Sequence, residues 1–355
     1  MQQTMDALQE IRTLAEDFAA ERLRPHVERW DHERAVDPAA LESLAETGFA
    51  GMLVPEPFGG LDLGLAAFAT AIEALAWGDG AVAFSVVAAG AASTTLLEGA
   101  RDSHGQTIEA IAEGAPIAWP LAHSAVRASS EGRAWRVDGS LDWVVRTGEN
   151  ALALVPATAD EELLFLVPAD LAGSTWTRET TLGLRPARLE SARFDGAIVP
   201  ADACVAHGAQ AAAAMIHGRQ VARLGIAAIA TGIARAALEH ATRYAAQREQ
   251  FGQALRTFEG LQFKLADMAT RLAAANALLQ AAALANDRAS IAIAKLVASE
   301  AATWVTREAV QIFGGYGYMR DYPVEKLMRD AKAMEILGST NEDLRVEIAA
   351  TLYDT

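Results

Sequence analysis

The chain has 355 residues, 52% hydrophobic and 21% charged, which is the composition of a globular protein with room for two or three domains. Its net charge of −16 and pI of about 4.9 exclude the basic surface that nucleic acids and anionic membranes attract. The single cysteine, Cys204, excludes an intramolecular disulfide and suits a reducing compartment, so we expect a cytoplasmic protein.

The first part of the chain, residues 1–114, has a helical pattern. Apolar side chains recur at helical spacing at Leu8, Ile11, Leu14 and Phe18. A Pro- and Gly-rich loop over residues 55–60 separates the helical segments. The longest uncharged run, residues 80–97, is long enough to raise the question of a membrane span. Because it consists mostly of Ala, Gly, Ser and Thr, we interpret it as a buried helix.

Residues 115–205 have the pattern of β-strands. The apolar runs 152–155 and 163–167 are each followed by a proline and predict strands of a small sheet or barrel. Asp138-Gly139 lies between two further strand-like runs, which predicts a hairpin turn at this dipeptide.

Helices return in residues 206–355. One predicted helix carries an apolar stripe at Leu261, Leu265, Met268 and Leu272, and another spans residues 289–313. The predicted fold class is therefore α+β but mostly α, with an N-terminal helical domain (1–114), a middle β-barrel or sheet domain (115–205) and a C-terminal helical bundle (206–355).

Three motifs of the bundle each allow a structural and a functional interpretation. Gly314-Gly315-Tyr316-Gly317-Tyr318 ends a long helix, where it either forms a simple C-cap or lets the backbone approach a phosphate or a ring. Arg248 to Gly252 lies between two helices, and its arginine either forms a surface ion pair or binds a phosphate. Residues 329–332, Arg-Asp-Ala-Lys, are either solvated or ion-paired. The seven histidines lack metal-ligand spacing, so no metal site is expected.

In their order along the chain, these segments resemble the acyl-CoA dehydrogenase family over nearly the whole sequence. The strongest match is residues 309–318, Ala-Val-Gln-Ile-Phe-Gly-Gly-Tyr-Gly-Tyr, followed by 322–325 and 329–332. Further matching segments are 48–60, Trp143, 194–200, 244–252 and 262–268.

The resemblance implies a four-helix bundle at the C-terminus, a homodimer or tetramer, and FAD between the β domain and the bundle. It also implies oxidation of the Cα–Cβ bond of an acyl-CoA. A glutamate removes the α-proton, the β-hydrogen passes to the flavin as hydride, and an electron-transferring flavoprotein accepts the electrons. The matching motifs imply four groups of FAD contacts. Trp143 would lie near the flavin ring, and Arg248, Gln250 and Phe251 would contact the same FAD. Gln311, Gly314 and Gly315 would approach the cofactor of the neighbouring subunit, and Thr340 and Glu342 would lie beside its pyrophosphate and adenosine. Arg223 and Gly338 would adjoin the acyl thioester.

The chain departs from this family at the catalytic base. The family usually has Glu-Gly-Thr where this sequence has Gly338-Ser339-Thr340. Some members instead place the glutamate before the arginine that matches Arg223, and that position is Ala222 here. No catalytic residue is therefore assigned, and loss of a general base typically costs about 10²–10⁴-fold in rate.

The segments expected around the flavin ring also depart from the family's pattern. Residues 118–121, Ala-Trp-Pro-Leu, stand where the family has Thr-Glu-Pro, and Val145 replaces the Thr or Ser expected near the flavin ring. The changes lie on the flavin-ring side, whereas the adenine-side motifs remain.

Three hypotheses stay open. The chain is a base-lacking subunit of a heteromeric acyl-CoA dehydrogenase, a self-sufficient flavoenzyme of this fold with a relocated base or altered chemistry, or a non-catalytic structural or regulatory homologue. The thioester carrier, either CoA or a carrier protein, is also left open.

Overall fold

A computed structural model describes residues 2–122 and 124–353, with side chains from residue 6 onward. Six helices form the N-terminal part: α1 (Gln2–Phe18), α2 (Val27–Glu33), α3 (Pro38–Ala45), α4 (Gly64–Gly78), α5 (Gly80–Gly99) and α6 (Gly105–Ala112). Asp79 separates α4 from α5 and caps α5, because its Oδ1 accepts hydrogen bonds from the N–H groups of Ala81 (2.8 Å) and Val82 (3.1 Å).

Two helices, α5 and α7 (Gly208–Gln247), are long and apolar enough to cross a membrane by length and composition. In each of them, 83% of the most apolar window is buried inside the protein. The interpretation of residues 80–97 as a buried helix agrees with this packing.

The central part is a sheet of eight strands: β1 (Ile117–Pro120), β2 (Arg127–Glu131), β3 (Ala134–Arg146), β4 (Leu152–Thr158), β5 (Glu162–Pro168), β6 (Ser174–Arg178), β7 (Leu189–Pro200) and β8 (Cys204–His207). Their order is β6-β7-β3-β1-β4-β5-β8, and β2 pairs with both β3 and β4, as β1 does. The strands predicted at 152–155 and 163–167 are β4 and β5, which pair antiparallel.

The predicted hairpin at Asp138-Gly139 is wrong. Both residues lie inside the continuous strand β3, where the register against β7 shifts and Gly139 has φ +127°. A glycine is needed here because a Cβ would collide with the backbone of Ala125. Asp138 Oδ1 accepts a hydrogen bond from the N–H of Gly196 at 2.7 Å. The actual turn is at Gly132, φ +68°, between β2 and β3.

The C-terminal part contains α7, α8 (Glu259–Ala285), α9 (Arg288–Phe313), α10 (Pro323–Met334) and α11 (Asn341–Thr351), with a two-stranded ribbon, β9 (Glu249–Gln250) and β10 (Gln253–Ala254), between α7 and α8. The predicted fold class is confirmed: helices at both ends surround a central β region. The domain limits 1–114, 115–205 and 206–355 stay a prediction.

In the charged motif 329–332, Arg329 and Asp330 are buried and ion-paired, whereas Lys332 is exposed and pairs with Glu335. Arg329 is 6% exposed and donates to both carboxylate oxygens of Asp31, at 3.1 and 2.8 Å. Lys326 lies between the carboxylates of Asp79 (3.0 Å) and Asp330 (2.6 Å). Although burial opposes its charge, these two carboxylates raise the pKa of Lys326. Arg329 and Asp330 therefore belong to a buried ion-pair network that joins α10 to α2 and to the start of α5.

Candidate functional site

The loop between α10 and α11 is held by two cations from the bundle. Gly338 has φ +73°, and its carbonyl oxygen accepts a hydrogen bond from Arg223 Nε at 3.2 Å. The next carbonyl, of Ser339, accepts from Lys295 Nζ at 2.6 Å. The N–H groups of Gly338 and Ser339 donate to no residue within 2–122 or 124–353. The loop therefore presents two consecutive backbone donors whose carbonyl groups are fixed.

Lys295 is fully buried in α9 and was not identified from the sequence. Its Nζ also donates to Asn341 Oδ1 at 3.0 Å, and Ser299 Oγ donates to the same oxygen at 3.0 Å. Burial, and then the charge of Arg223, lower the pKa of Lys295 to about 7. A lysine within the apolar run Ala-Ile-Ala-Lys-Leu-Val-Ala is the signal that could have identified it.

Each of the four carboxylates in residues 335–347 lies within ion-pair or hydrogen-bond distance of a partner. Glu335 binds Lys332 at 2.5 Å, and Glu342 lies 3.6 Å from Arg345. Asp343 accepts the hydroxyl of Thr340 at 2.7 Å. Glu347 receives hydrogen bonds from Arg288 (2.6 Å) and Arg223 (3.0 Å). Although burial acts in the opposite direction, Arg288 and Arg223 lower the pKa of Glu347, so it stays ionised and tightly bound.

Two predicted cofactor contacts, Thr340 and Glu342, lie at the start of α11. Thr340 caps this helix: its Oγ1 accepts the N–H of Asp343 at 3.1 Å, and its N–H donates to the Asp343 carboxylate at 3.4 Å. Glu342 is exposed beside it. Two carboxylates in the first turn of the helix disfavour a pyrophosphate at this position by like-charge repulsion.

The other position for a base, Ala222, is buried in α7. No Asp or Glu occurs in this helix before Glu239, which is bonded to Trp77 Nε1 (2.6 Å) and Arg24 (3.1 Å). Helix α7 therefore offers no carboxylate near Ala222.

The predicted flavin-ring side contains two buried residues of the sheet, Val145 and Trp119. Val145 is 2% exposed and pairs with Trp119 of β1, which is fully buried. The indole of Trp119 packs on α7 so closely that a Cβ on Gly218 would collide with it. Its Nε1 has no partner among the described residues. Trp143 lies at the second register shift of β3, with φ +55°, half-buried against the helical core. Val145 thus supplies no hydroxyl at the ring position, so this contact that the resemblance implies is missing here. Val145 also borders a cavity of about 600 Å³ that Ser85 and Thr147 line.

The predicted adenine side is open. Arg248, Gln250, Gly314 and Gly315 line one cavity of about 550 Å³ together with Tyr244 and Tyr316. The Arg248 guanidinium lies 5.6 Å from the ring centroid of Tyr316, and a Cβ on either glycine would meet nothing within 4 Å. Two tyrosine rings and an arginine suit an adenine and its phosphates.

The remaining predicted contacts flank this cavity in the sequence. Phe251 forms the turn of the ribbon with φ +52° and is 93% exposed, and the carbonyl of Gln311 accepts the N–H of Gly314. The structure thus brings together the residues of the adenine-side motifs, and separately Arg223 with Gly338. No contact joins Trp143 to either group among the described residues.

Comparisons with known proteins agree with this architecture. Residues 5–114 match the family model "Acyl-CoA dehydrogenase, N-terminal domain", and residues 210–353 match "Acyl-CoA dehydrogenase, C-terminal domain". The short-chain specific acyl-CoA dehydrogenase of Bos taurus is 32% identical over 97% of this chain and 89% of its own length. The solved butyryl-CoA dehydrogenase of Megasphaera elsdenii is 30% identical, with a TM-score of 0.91 and 98% of each chain covered.

A second solved structure, at 23% identity, supports the fold alone. It is a glutaryl-CoA dehydrogenase of Mycobacterium smegmatis in complex with FADH2, with a TM-score of 0.91 over 98% of this chain and 95% of that one. The 32% sequence identity with the bovine enzyme over 97% of this chain, together with the two family models, is sufficient to assign the family. This chain belongs to the acyl-CoA dehydrogenase family.

Proposed function

We propose that the chain is a base-lacking subunit of an acyl-CoA dehydrogenase-type enzyme. It binds an acyl thioester at the loop around Gly338 and contributes its Arg248 cavity to an FAD at the interface with a related subunit, which supplies the base. The observation that carries this proposal is that neither Gly338 nor Ala222 provides a carboxylate. In addition, each of the four carboxylates in residues 335–347 already has an ion-pair or hydrogen-bond partner.

The loop suits a thioester carbonyl. Two neighbouring N–H groups, at Gly338 and Ser339, have no acceptor among the described residues, and fixed backbone donors stabilise the charge that develops on a carbonyl oxygen. Arg223 and Lys295 hold the carbonyls of the same two residues, which keeps the donors in place. Binding and polarisation of the substrate are therefore supported in this chain, whereas proton removal is not.

A self-sufficient enzyme would need a base that this neighbourhood does not supply. Glu347 is the carboxylate in contact with Arg223, but its lowered pKa and two arginine partners make it a weak proton acceptor. A purely structural homologue is also less favoured, because such a chain has no use for the open cavity at Arg248 and the two glycines.

The test is to isolate the tagged chain from its native host and to measure the flavin content and acyl-CoA dehydrogenation of the assembly. We expect a related subunit in stoichiometric amount and flavin in the complex. Arg248→Ala should lower the flavin content of that assembly, whereas Arg256→Ala, an exposed arginine on the following turn, should leave it unchanged. A flavin-free assembly, or one that contains this chain alone and is active, would overturn the proposal.

A further inference from the structure

Two lysines of the C-terminal helices are buried, and their surroundings differ. Lys326 is 5% exposed and lies between the carboxylates of Asp79 at 3.0 Å and Asp330 at 2.6 Å. Lys295 is 0% exposed and forms no ion pair with any carboxylate in the described ranges, 2–122 and 124–353. Because burial disfavours a charge that no carboxylate compensates, a lysine in the second kind of place loses its proton more readily.

The hydrogen-bond partners of Lys295 are neutral oxygen atoms. Its Nζ donates to the carbonyl of Ser339 at 2.6 Å and to Asn341 Oδ1 at 3.0 Å. An ammonium makes such hydrogen bonds about twice as strongly as a neutral amine does. Loss of the proton therefore weakens both contacts without removing the donor.

Charged groups from the neighbouring segments also face Lys295. Burial, and then Arg223 of α7, disfavour the ammonium, whereas Glu335 directly after α10 and Glu342 and Asp343 of α11 favour it. The first two effects are the larger, so the pKa of Lys295 is lowered to about 7. Ammonium and amine are therefore both populated in neutral solution.

The loop that Lys295 holds has a strained backbone. Gly338 has φ +73°, and Ser339 has φ +151°, a region that residues other than glycine rarely adopt. Such a conformation persists only where the surrounding contacts hold it. Ser339 is held by Lys295 at its carbonyl and by Arg223, which donates to its Oγ at 2.7 Å. The strength of the Lys295 contact therefore affects how firmly the backbone donors of Gly338 and Ser339 are held.

We propose that Lys295 is a positioning residue whose protonation sets the affinity of the loop around Gly338 for an acyl thioester, with the ammonium form binding more tightly than the amine form. The inference rests on the proposed function, because it concerns the same two backbone donors. The ammonium holds the carbonyl of Ser339 more firmly and places a positive charge behind the loop. Both effects favour the partial negative charge on the oxygen of a bound thioester carbonyl.

The first test is the affinity of the full-length chain for acetyl-, butanoyl- and octanoyl-CoA, measured by calorimetry between pH 6 and pH 9. Coenzyme A itself is titrated at each pH, so that the ratio of the two affinities reports on the acyl thioester and not on the phosphates. We expect this ratio to be highest below pH 7 and to fall about fivefold toward pH 9, because the charged hydrogen bond is replaced by a neutral one.

Three variants separate the charge of Lys295 from its packing. Lys295→Met carries no proton, so its affinity ratio should be constant over this range and no higher than that of the wild type at pH 9. Lys295→Arg stays charged, so its ratio should also be constant but close to that of the wild type at pH 6. Lys264→Met, at a lysine of α8 that pairs with Glu308, is the control and should keep the wild-type pH profile.

A second measurement uses the wild type alone. The chain has four lysines, so the ¹³C spectrum of protein labelled at lysine Cε follows each titration separately. A ligand that prefers the ammonium form must raise the titration midpoint of Lys295, and a fivefold preference corresponds to about 0.7 pH unit. We expect the tightest-binding acyl-CoA to raise this midpoint relative to coenzyme A and to leave the midpoints of Lys264 and Lys332 unchanged.

The outcomes separate the role of Lys295 from the proposed function. An affinity ratio in the wild type that is constant or rises with pH would overturn the role of Lys295 while thioester binding stands. An unchanged midpoint of Lys295 on binding of an acyl-CoA would do the same. If none of the three acyl-CoAs binds more tightly than coenzyme A at any pH, both the role of Lys295 and the thioester site are overturned.

Discussion

The Nε–H of Arg223 donates a 3.2 Å hydrogen bond to the carbonyl oxygen of Gly338, at the position where the family usually has its catalytic glutamate. Another nitrogen of the same guanidinium binds Ser339 Oγ at 2.7 Å. The loop is thus held in a defined shape although it carries no carboxylate at Gly338. A fixed loop of this kind is suited to binding more than to proton transfer.

Arg223→Gln tests this contact. The substitution removes charged hydrogen bonds from the half-buried loop, so we expect a loss of about 1.5–3 kcal/mol in the free energy of unfolding, measured with urea. Arg345→Gln removes only exposed ion pairs to Glu300 and Glu342 and should change stability by about 0.5 kcal/mol or less. Equal effects of the two substitutions would contradict the role of Arg223.

Restoring a glutamate at Gly338 should be costly. The φ of +73° disfavours any L side chain, and a Cβ there would lie 2.5 Å from Ile226 Cδ1. We expect Gly338→Glu to lower stability by about 1–3 kcal/mol, and by less in an Ile226→Ala background, because the smaller side chain relieves the contact. A urea-denaturation cycle of the four variants measures this coupling, and strictly additive effects would refute the contact.

The same variant also tests the flavin side. Purified alone and given FAD, Gly338→Glu should not dehydrogenate acyl-CoAs, because Val145 supplies no hydroxyl at the ring position and the related subunit is absent. A gain of activity in the isolated variant would show that the missing base is the only defect.

Lys295 should make stability depend on pH. Its pKa is about 7 in the folded protein and 10.5 in the reference state, so between these values the unfolded chain binds one more proton. The contribution of Lys295 to the free energy of unfolding therefore rises with pH in this window, by at most about 1.4 kcal/mol per unit.

The measurement is urea denaturation of wild type and Lys295→Met at several values between pH 7 and pH 10. The stability of the wild type relative to the variant should increase as the pH rises. A difference that stays constant across this range would mean that Lys295 is protonated throughout.

Two glycines of the bundle provide a matched test of the close packing of Trp119 on α7. Gly218 faces Thr95, Trp119 and the carbonyl of Ala91 (2.9 Å from an added Cβ), so Gly218→Ala should destabilise strongly, by about 1–3 kcal/mol. Gly260 lies at the start of α8 with nothing within 4 Å of an added Cβ. Gly260→Ala should therefore be neutral or stabilising by up to about 1 kcal/mol. Thermal unfolding of both variants measures these effects. A neutral Gly218→Ala would show that the space between Gly218 and Trp119 is open.

The sequence predicted the parts of the fold that local patterns determine. The helical and strand-like regions were assigned correctly because their apolar periodicities differ, as in the helix at 289–313 and the strands at 152–155 and 163–167. The turn at Asp138-Gly139 was predicted incorrectly because a glycine needed for a bulge looks the same in sequence as one needed for a turn. Only the pairing of β3 with β7 distinguishes the two cases.

The candidate site was predictable in part for a similar reason. Contiguous motifs such as residues 248–252 and 314–318 identified the cavity that they line together. Lys295 and Glu347 were missed, because their importance comes from contacts with distant segments. The partners of Arg223 in the loop likewise become visible only in three dimensions.

The most direct test of the base-lacking subunit is the visible spectrum of the purified chain alone, followed by anaerobic titration with a panel of acyl-CoAs. The account predicts a protein that retains little or no flavin, even after incubation with FAD, and shows no bleaching. A yellow protein whose flavin is bleached by an acyl-CoA would be a complete dehydrogenase and would contradict the account.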